Sequence, residues 1–274
     1  MADSIRVGIV GNRFMGKAHS NAYLKVAKFF DMARIPEMTA VCGLEADEVA
    51  EFADRWGWGR STTQWEEIAG ADDIDLVDVC TPGDTHAPIA IAAAKAGKHV
   101  FCEKPLANSL ADAKEMLAAA RTAGVRHMVN FCYRRAPAVT LAKQMVADGA
   151  IGEVRQWRAT YLQDWLADAS APMSWRLVKE IAGSGAHGDL NAHAVDLARF
   201  VTGDEITQVV GDFKTFVEER PQPDGSGTGV GASGAGDGGG MGKVTVDDAA
   251  TFLARFAGGA IGTFEATRMA TGRK

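Results

Sequence analysis

The chain has 274 residues, and its 29 basic and 35 acidic side chains give a formal net charge of −6. With 47% hydrophobic residues it can bury a large core, but its acidic balance offers no basic field for a nucleic-acid backbone, which argues against a nucleic-acid partner. The 31 glycines exceed the ordinary usage of about 7%. The length exceeds a typical domain of roughly 100–150 residues, so we expect two domains.

Neither the N-terminal segment nor any later stretch indicates targeting to a membrane. Residues 1–10 lack the basic leader and cleavage site of a signal peptide, and no stretch approaches the ~20 apolar residues of a membrane span. We therefore expect a cytoplasmic protein without a membrane partner. The cysteines lack CxxC spacing, and we interpret Cys42, Cys80 and Cys102 as buried structural thiols.

Residues 5–131 alternate short apolar runs with helical periods, which predicts an α/β domain with a doubly wound parallel sheet. The predicted strands are 5–10, 39–42, 76–80, 100–102 and 126–130, and the predicted helices are 17–29, 45–56, 87–96 and 110–123. Ser109 and Asp112 have the spacing of an N-terminal helix cap, and Gly124 marks the end of the same helix. We place the first domain at residues 1–131.

Residues 132–274 have a different pattern, which predicts an α+β domain with a mostly antiparallel open sheet. The predicted helices are 137–148 and 188–201, and the predicted strands are 153–163, 206–217, 244–256 and 260–267. The sequence Ala257-Gly258-Gly259 suits a hairpin turn between the last two strands. Ten of the eighteen residues 225–242 are glycine, so we expect a flexible loop over 221–242 that accounts for the glycine surplus.

The first predicted strand leads into a candidate dinucleotide-binding turn that contains Gly11, Arg13, Phe14, Met15 and Gly16. Glycines in such a turn let the backbone approach a pyrophosphate at the N-terminus of the following helix. Arg13 occupies the place of the middle glycine, where it either hinders this approach or contributes a cation to the phosphates.

The second predicted strand ends at Cys42-Gly43-Leu44-Glu45. This segment has neither a clear acidic residue that would bind the ribose of NAD nor an arginine that would bind the phosphate of NADP. Both cofactors stay open, and Gly43 joins the candidate cofactor-binding residues.

Two further polar segments follow later strands, where open α/β sheets place their ligands. Thr81, Pro82 and His86 follow the third strand, and Glu103-Lys104-Pro105 follows the fourth. Proline disfavours helical geometry at Lys104, so we expect its ammonium group to project from the strand end; the alternative is a surface lysine. We add Thr81, Pro82, His86, Glu103 and Lys104 to the candidate cofactor-binding residues.

Asp189 and His193 stand four residues apart in a predicted helix and therefore share one face. An imidazole beside a carboxylate can transfer a proton near neutral pH. One alternative is an ordinary surface pair. Another is a metal site formed by His187, Asp189 and His193, although His187 lies off the shared face.

Together, the Glu103-Lys104-Pro105 motif and the Asp189 and His193 pair resemble the glucose-fructose oxidoreductase/inositol dehydrogenase (Gfo/Idh/MocA) family over essentially the whole chain. The resemblance implies a Rossmann domain that binds NAD or NADP, and a substrate-binding domain whose open sheet often mediates dimers or tetramers. It also implies that Lys104 is the active-site lysine, His193 the acid/base and Asp189 its partner. Because family members continue beyond the equivalent of residue 274, we expect a second domain that is incomplete or unusually short.

The segments around Tyr133, Tyr161 and Trp175 resemble the levoglucosan and inositol dehydrogenase branch, where corresponding regions line a sugar pocket. The substrate-binding residues implied are Lys104, Tyr133, Arg134, Gln163, Trp165, Trp175, Arg176, Asp189 and His193. The implied reaction oxidises a secondary hydroxyl of a cyclic polyol or sugar by hydride transfer to nicotinamide. A non-catalytic protein that binds nucleotide or sugar is the alternative.

Overall fold

The structure is a computed structural model that describes residues 3–223 and 240–273. The chain divides into two compact units, residues 1–130 and residues 131–274. None of the helices in these described ranges is both long and apolar enough to cross a membrane.

The first unit is a six-stranded sheet with the strand order β3-β2-β1-β4-β5-β6, in which every neighbouring pair is parallel. Its strands are β1 (Asp3–Val10), β2 (Arg34–Cys42), β3 (Arg60–Thr62), β4 (Leu76–Val79), β5 (His99–Cys102) and β6 (His127–Val129). Its helices are α1 (Phe14–Phe29), α2 (Ala46–Trp56), α3 (Trp65–Ala69), α4 (His86–Lys95) and α5 (Leu110–Ala123). The predicted doubly wound sheet is confirmed.

Local sequence explains these elements. Val7, Ile9, Val77 and Val79 are fully buried, as expected for parallel strands covered on both faces. Helix α5 begins where the Ser109 hydroxyl accepts a hydrogen bond from the Asp112 backbone, and it ends at a left-handed Gly124, as the capping pattern predicts. The short elements β3 and α3 were absent from the prediction.

The second unit contains a four-stranded sheet with the order β7-β12-β11-β8. Its elements are α6 (Pro137–Ala147), β7 (Gln156–Leu162), α7 (Lys179–Ala182), α8 (Ala192–Thr202), β8 (Ile206–Lys214), β9 (Glu219–Pro221), β10 (Met241–Lys243), β11 (Ala249–Phe256) and β12 (Ile261–Thr267). Strand β12 pairs with β7 in parallel, whereas β12 with β11 and β11 with β8 are antiparallel. The predicted mostly antiparallel sheet is confirmed.

The two faces of this sheet differ in polarity and exposure. One face buries Phe252, Phe256 and Phe264 against the alanines of α8, and the rings of Phe252 and Phe264 stack with centroids 4.5 Å apart. On the opposite face Val210 and Leu253 are more than half exposed. The strand alternation therefore leaves an open, partly apolar face.

Several predicted boundaries in the second unit require correction. The predicted strands 153–163 and 206–217 are shorter in the structure, at Gln156–Leu162 and Ile206–Lys214. The predicted loop 221–242 is paired at both ends, where Met241 of β10 lies opposite Pro221 of β9; residues 224–239 lie outside the described ranges. The predicted strand 244–256 begins only at Ala249, because Asp248 caps the Phe216 and Val217 backbone N–H groups and the chain bends there. The predicted helix 188–201 opens with a π-helical turn, His187–Asn191, before α8.

Candidate active site

The glycine turn of the first unit requires glycine because backbone segments approach closely. Gly11 has φ +113°, and a Cβ atom there would lie 2.7 Å from the Cys80 carbonyl oxygen. A Cβ atom at Gly16 would lie 2.1 Å from the Gly11 carbonyl oxygen. Within the described ranges no side chain caps the start of α1, so its first N–H groups are oriented as a phosphate site requires.

Arg13 and Gly43 lie beside this turn, at the carboxyl ends of β1 and β2. The Gly11 N–H donates to the Cys42 carbonyl at 2.9 Å, which joins the two strand ends. The Arg13 guanidinium pairs with Glu48 of α2 at 2.8 Å. The cofactor-binding residues predicted for this turn, with Phe14 exposed and Met15 half-buried, are therefore grouped at one edge of the sheet.

The predicted residues after β4 and β5 are joined through His86. Its Nε2 lies 2.8 Å from the Thr81 carbonyl oxygen and its Nδ1 lies 3.0 Å from the Pro105 carbonyl oxygen. The buried His86 ring therefore lies between the loops that follow β4 and β5, and its predicted contact with a cofactor stays a prediction. The buried Thr81 hydroxyl has no hydrogen-bond partner among the described residues and suits a bound polar group.

Beneath these loops lies a charged cluster that sequence reasoning did not identify. His19 of α1 lies with its Nδ1 2.8 Å from an Asp78 carboxylate oxygen and its Nε2 3.0 Å from Glu103. All three side chains are buried. The Tyr23 hydroxyl donates to Asp78 at 2.7 Å, and the Asn130 amide donates to Glu103 at 2.5 Å. The sequence feature that could have indicated this cluster is Asp78, a charged residue inside a buried strand.

The two carboxylates keep His19 protonated. Burial alone would lower the pKa of His19, but the hydrogen bonds with Asp78 and Glu103 outweigh it and raise the pKa to about 10. Burial alone would raise the pKa of Glu103, but hydrogen bonds from His19 and Asn130 hold it below its ordinary value. His19 is therefore an imidazolium at neutral pH.

The cluster also has the spacing of a metal site, since ligand atoms of His19, Asp78 and Cys80 lie within 4.8 Å of one another. In this structure both ring nitrogens of His19 and the Asp78 carboxylate take part in hydrogen bonds with one another, with Glu103 and with Tyr23. The arrangement is that of a hydrogen-bonded ion cluster. Cys42 and Cys102 are buried as predicted, whereas Cys80 is half-buried.

In the second unit, His193 lies in the first turn of α8 and is surrounded by aromatic rings. Its ring centroid lies 4.5 Å from that of Tyr133, 6.0 Å from Phe131 and 6.1 Å from Tyr161. The Tyr133 and Tyr161 hydroxyl oxygens are 2.6 Å apart. The predicted Tyr133 is thus beside His193, and Tyr161 is an addition to the predicted residues.

Several predicted substrate-binding residues surround a buried arginine, Arg268, that sequence reasoning missed. Its guanidinium lies 3.9 Å from an Asp189 carboxylate oxygen, 3.5 Å from the Arg176 carbonyl oxygen and 5.3 Å from the Trp165 ring centroid. Arg176 lies over the ring of Trp175 at 4.4 Å, and Trp165 donates to Gln163 at 3.0 Å. The structure therefore groups the aromatic and charged residues that the resemblance implied.

Arg134 joins the turn before α6 to helix α8. Its guanidinium forms a two-point ion pair with Asp196 of α8 and lies 5.1 Å from the Phe200 ring centroid. A guanidinium held by both a carboxylate and a ring fixes the turn Cys132–Arg135 against α8. Its predicted contact with substrate stays a prediction, and local sequence could not indicate Asp196, which lies 62 residues away.

The alternative of a metal site formed by His187, Asp189 and His193 is wrong. In the described part of the chain the ligand atoms of these three side chains do not come close enough together to hold one metal ion. The His187 ring packs instead against Phe213 with centroids 5.1 Å apart. Its backbone N–H donates to Asp247 at 2.8 Å, and burial lowers the pKa of His187.

Residues 5–131 match the oxidoreductase family with an NAD-binding Rossmann fold, and residues 139–274 match the GFO/IDH/MocA C-terminal domain. A levoglucosan dehydrogenase from Pseudarthrobacter phenanthrenivorans is 46% identical over 271 residues, which are 98% of this chain and 69% of that relative. The chain belongs to the GFO/IDH/MocA family. The resemblance drawn from the motifs is confirmed.

Other relatives of this GFO/IDH/MocA chain are similar over nearly its whole length. A myo-inositol 2-dehydrogenase from Thermotoga maritima is 28% identical over 97% of this chain and 69% of its own length. A solved structure of levoglucosan dehydrogenase in complex with NADH has a TM-score of 0.91 and 44% identity, covering 99% of this chain and 69% of that one. The protein is therefore an NAD-binding oxidoreductase close to levoglucosan and inositol dehydrogenases.

The raised pKa of His19 predicts how stability depends on pH. A group with a pKa of about 10 when folded and about 6.5 when unfolded stabilises fully below pH 6.5 and loses this contribution as pH rises to 10. We expect the stability advantage of wild type over His19→Gln to shrink by up to about 1.4 kcal/mol per pH unit in this window. Urea unfolding at pH 6, 8 and 9.5 measures it. A constant difference would contradict the assignment of the imidazolium.

Proposed function

We propose that this protein is an NAD-dependent dehydrogenase that oxidises a secondary hydroxyl of a ring polyol, with anhydrosugars such as levoglucosan and inositols as the substrate class. The observation that supports this most is the grouping around His193 and Arg268. The rings of Tyr133, Tyr161 and Trp165 would offer apolar faces to a sugar ring. Asp189, beside Arg268, and Arg176, over the ring of Trp175, would supply charged hydrogen-bonding groups for its hydroxyls.

In this proposal residues 1–131 bind the dinucleotide and residues 132–274 bind the substrate. The residues present fit NAD, because Gly11 and Gly16 let the turn close tightly against the Cys80 and Gly11 carbonyls and α1 begins without a side-chain cap in the described chain. The N–H groups of Phe14, Met15 and Gly16 would hold the pyrophosphate. The Thr81 hydroxyl would bind a polar group of the cofactor.

The chemical roles follow from the side chains. His193 accepts the proton of the substrate hydroxyl as general base. Asp189 orients the substrate and balances the charge of the imidazolium that results. Lys104 donates a hydrogen bond to the same oxygen and stabilises the negative charge that develops there. NAD bound at the glycine turn would supply the hydride acceptor for this reaction.

The role of His193 is tested by His193→Asn, with His127→Asn, an exposed histidine of β6, as the control. Because general acid–base catalysis contributes about 10²–10⁴-fold, we expect kcat to fall by that factor while NADH binding is retained. Initial rates of NADH formation with levoglucosan, inositols and glucosides measure it. Near-normal turnover of His193→Asn would disprove the role, and a wild type that binds NADH but oxidises nothing in this panel would indicate a binding protein.

We propose NAD instead of NADP as the cofactor because the start of α2 is acidic. Asp47 and Glu48 lie in its first turn, beyond the strand end where the ribose of a dinucleotide binds, and Glu48 engages Arg13. Carboxylates at this position repel the additional phosphate of NADP.

We accordingly expect kcat/KM for NAD to exceed that for NADP by about 10-fold or more, equivalent to at least about 1.4 kcal/mol. Glu48→Gln removes one carboxylate and releases Arg13, so it should narrow this ratio. The control is Glu51→Gln, whose carboxylate pairs with Arg55 further along α2. An unchanged ratio in Glu48→Gln would rule out this basis for cofactor choice.

The open face of the second unit's sheet is proposed to pair with a second copy. In the β-sheet register Asp212 and Glu265 flank Thr251 at one end of this face, while Arg255 lies toward the other end. Two faces stacked with their strands antiparallel would bring Arg255 of one copy opposite the acidic end of the other, with Val210 and Leu253 near the centre.

Leu253→Glu, which places a charge at that centre, is expected to convert a dimer into a monomer because unpaired charges are costly in an interface core. Light scattering after size exclusion measures the mass. Leu44→Glu, at an exposed leucine of the first unit, should leave the mass unchanged. A wild type that is monomeric at tens of micromolar would refute the proposal.

A further inference from the structure

The buried ion cluster of the first unit joins four segments of the chain. His19 lies in α1, Asp78 in β4, Glu103 directly after β5, and Asn130 directly after β6. The sequence separations are 59 residues for His19 with Asp78 and 84 for His19 with Glu103. The helix that begins at the glycine turn is therefore fixed to the carboxyl ends of the neighbouring strands through charged side chains.

The Glu103 carboxylate is held from two sides and in turn holds the backbone of Lys104. One oxygen accepts hydrogen bonds from His19 at 3.0 Å and Asn130 at 2.5 Å. The other accepts from the Lys104 backbone N–H at 3.1 Å. The conformation of the peptide from which the Lys104 side chain projects thus depends on the Glu103 rotamer, which His19 and Asn130 fix.

Stability alone is a poor explanation for this arrangement. Burying an imidazolium and two carboxylates carries a large desolvation cost, and apolar side chains of similar volume often stabilise a core equally well or better. Hydrogen bonds from charged and polar groups constrain the direction of the Glu103 carboxylate, which apolar groups cannot do. This constraint acts one residue from the lysine to which the proposed reaction assigns the substrate oxygen.

We propose that His19 is a positioning residue for dehydrogenation, acting through Glu103 to fix the backbone at Lys104. The expected effect of His19 on kcat rests on the proposed function, whereas its expected effect on the backbone at Lys104 does not. The loss of His19 removes one of the two side-chain hydrogen bonds described for the buried Glu103 and leaves that of Asn130, so the carboxylate can rotate away from the Lys104 N–H. The fixed geometry of Lys104 is lost without the removal of any group that contacts substrate.

The surroundings of His19 determine the pH range over which this constraint operates. The facing groups are the carboxylates of Asp78 and Glu103, the Asn130 amide, the Cys80 thiol at 3.3 Å and the Phe101 ring at 5.4 Å, with the Tyr23 hydroxyl on the far side of Asp78. The thiol and the phenol are neutral at physiological pH because burial raises the pKa of each. With two carboxylates facing one imidazole, His19 keeps its proton from pH 6 to 9, and the constraint is constant there.

The test compares His19→Gln and Glu103→Gln with the control Tyr23→Phe, which removes a hydrogen bond to Asp78 but does not touch Glu103. The first readout needs no activity. Hydrogen exchange of the Lys104 amide, followed by NMR, should accelerate by 10-fold or more in both Gln variants, on the order of a lost hydrogen bond, and should match wild type in Tyr23→Phe.

The second readout is kinetic. We expect kcat with the preferred polyol to fall by about 10–100-fold in His19→Gln, since displacement of a reacting group by 1 Å can cost about 10²-fold, with KM for NAD within about twofold. The double variant His19→Gln/Glu103→Gln should be no slower than the slower single variant, because the two residues act as one unit.

Each result decides between positioning and a structural role. Unchanged Lys104 exchange in His19→Gln would overturn the inference, as would kinetic losses that multiply in the double variant or an equal fall in kcat for Tyr23→Phe. If His19→Gln does not fold, Glu103→Gln carries the same two readouts. A wild type without dehydrogenase activity would refute the proposed function, and the exchange of the Lys104 amide would still decide whether His19 fixes this backbone.

Discussion

The parallel pairing of β1 with β2 on one side and β4 on the other is the constraint on which the first unit depends. It sets the carboxyl ends of these strands at one edge, so that the Gly11 N–H can reach the Cys42 carbonyl and the Cys80 N–H can reach Val10. Because the strands are this close, glycine is required at Gly11, and α1 must begin directly above the edge. The same edge then receives the segments after β4 and β5, which His86 and Glu103 fix in place.

Each unit contains buried charged side chains, and the kind of partner differs between the two units. The first unit pairs one imidazolium with two carboxylates. In the second unit the fully buried Arg220 donates to the carbonyl oxygens of Asp168 and Leu166 at 2.7 and 2.8 Å. Arg220 therefore organises an irregular segment by satisfying its backbone, and this segment carries Trp165. Segments without regular secondary structure gain rigidity in this way.

The sequence was sufficient to predict the main elements because hydrophobic periodicity is local. Strands as short as β3 were missed, since three partly exposed residues carry no measurable period. The glycine turn, Lys104 and His193 were predicted as site residues from motifs that keep their spacing along the chain. The His19 cluster could not be found in this way, because its members meet only after the sheet forms.

Two candidate site residues have partners that their motifs do not reveal. Arg134 forms an ion pair with Asp196, and the His86 ring lies between the Thr81 and Pro105 carbonyls. A motif indicates which segment reaches the site, but not which of its side chains are already bound within the protein. Arg268 shows the converse, since an arginine at the end of a strand predicts exposure, whereas its side chain is almost fully buried.

The double attachment of His86 restricts how this fold can be altered. The ring spans the carbonyls of Thr81 and Pro105, so an insertion or deletion in either loop would need a compensating change in the other. Residues 44–48 after β2 are all exposed. The ion pair of Glu48 with Arg13 joins two exposed side chains and not two backbone segments. The segment after β2 can therefore be changed most freely to alter cofactor preference. The loops after β4 and β5, by contrast, must be changed together.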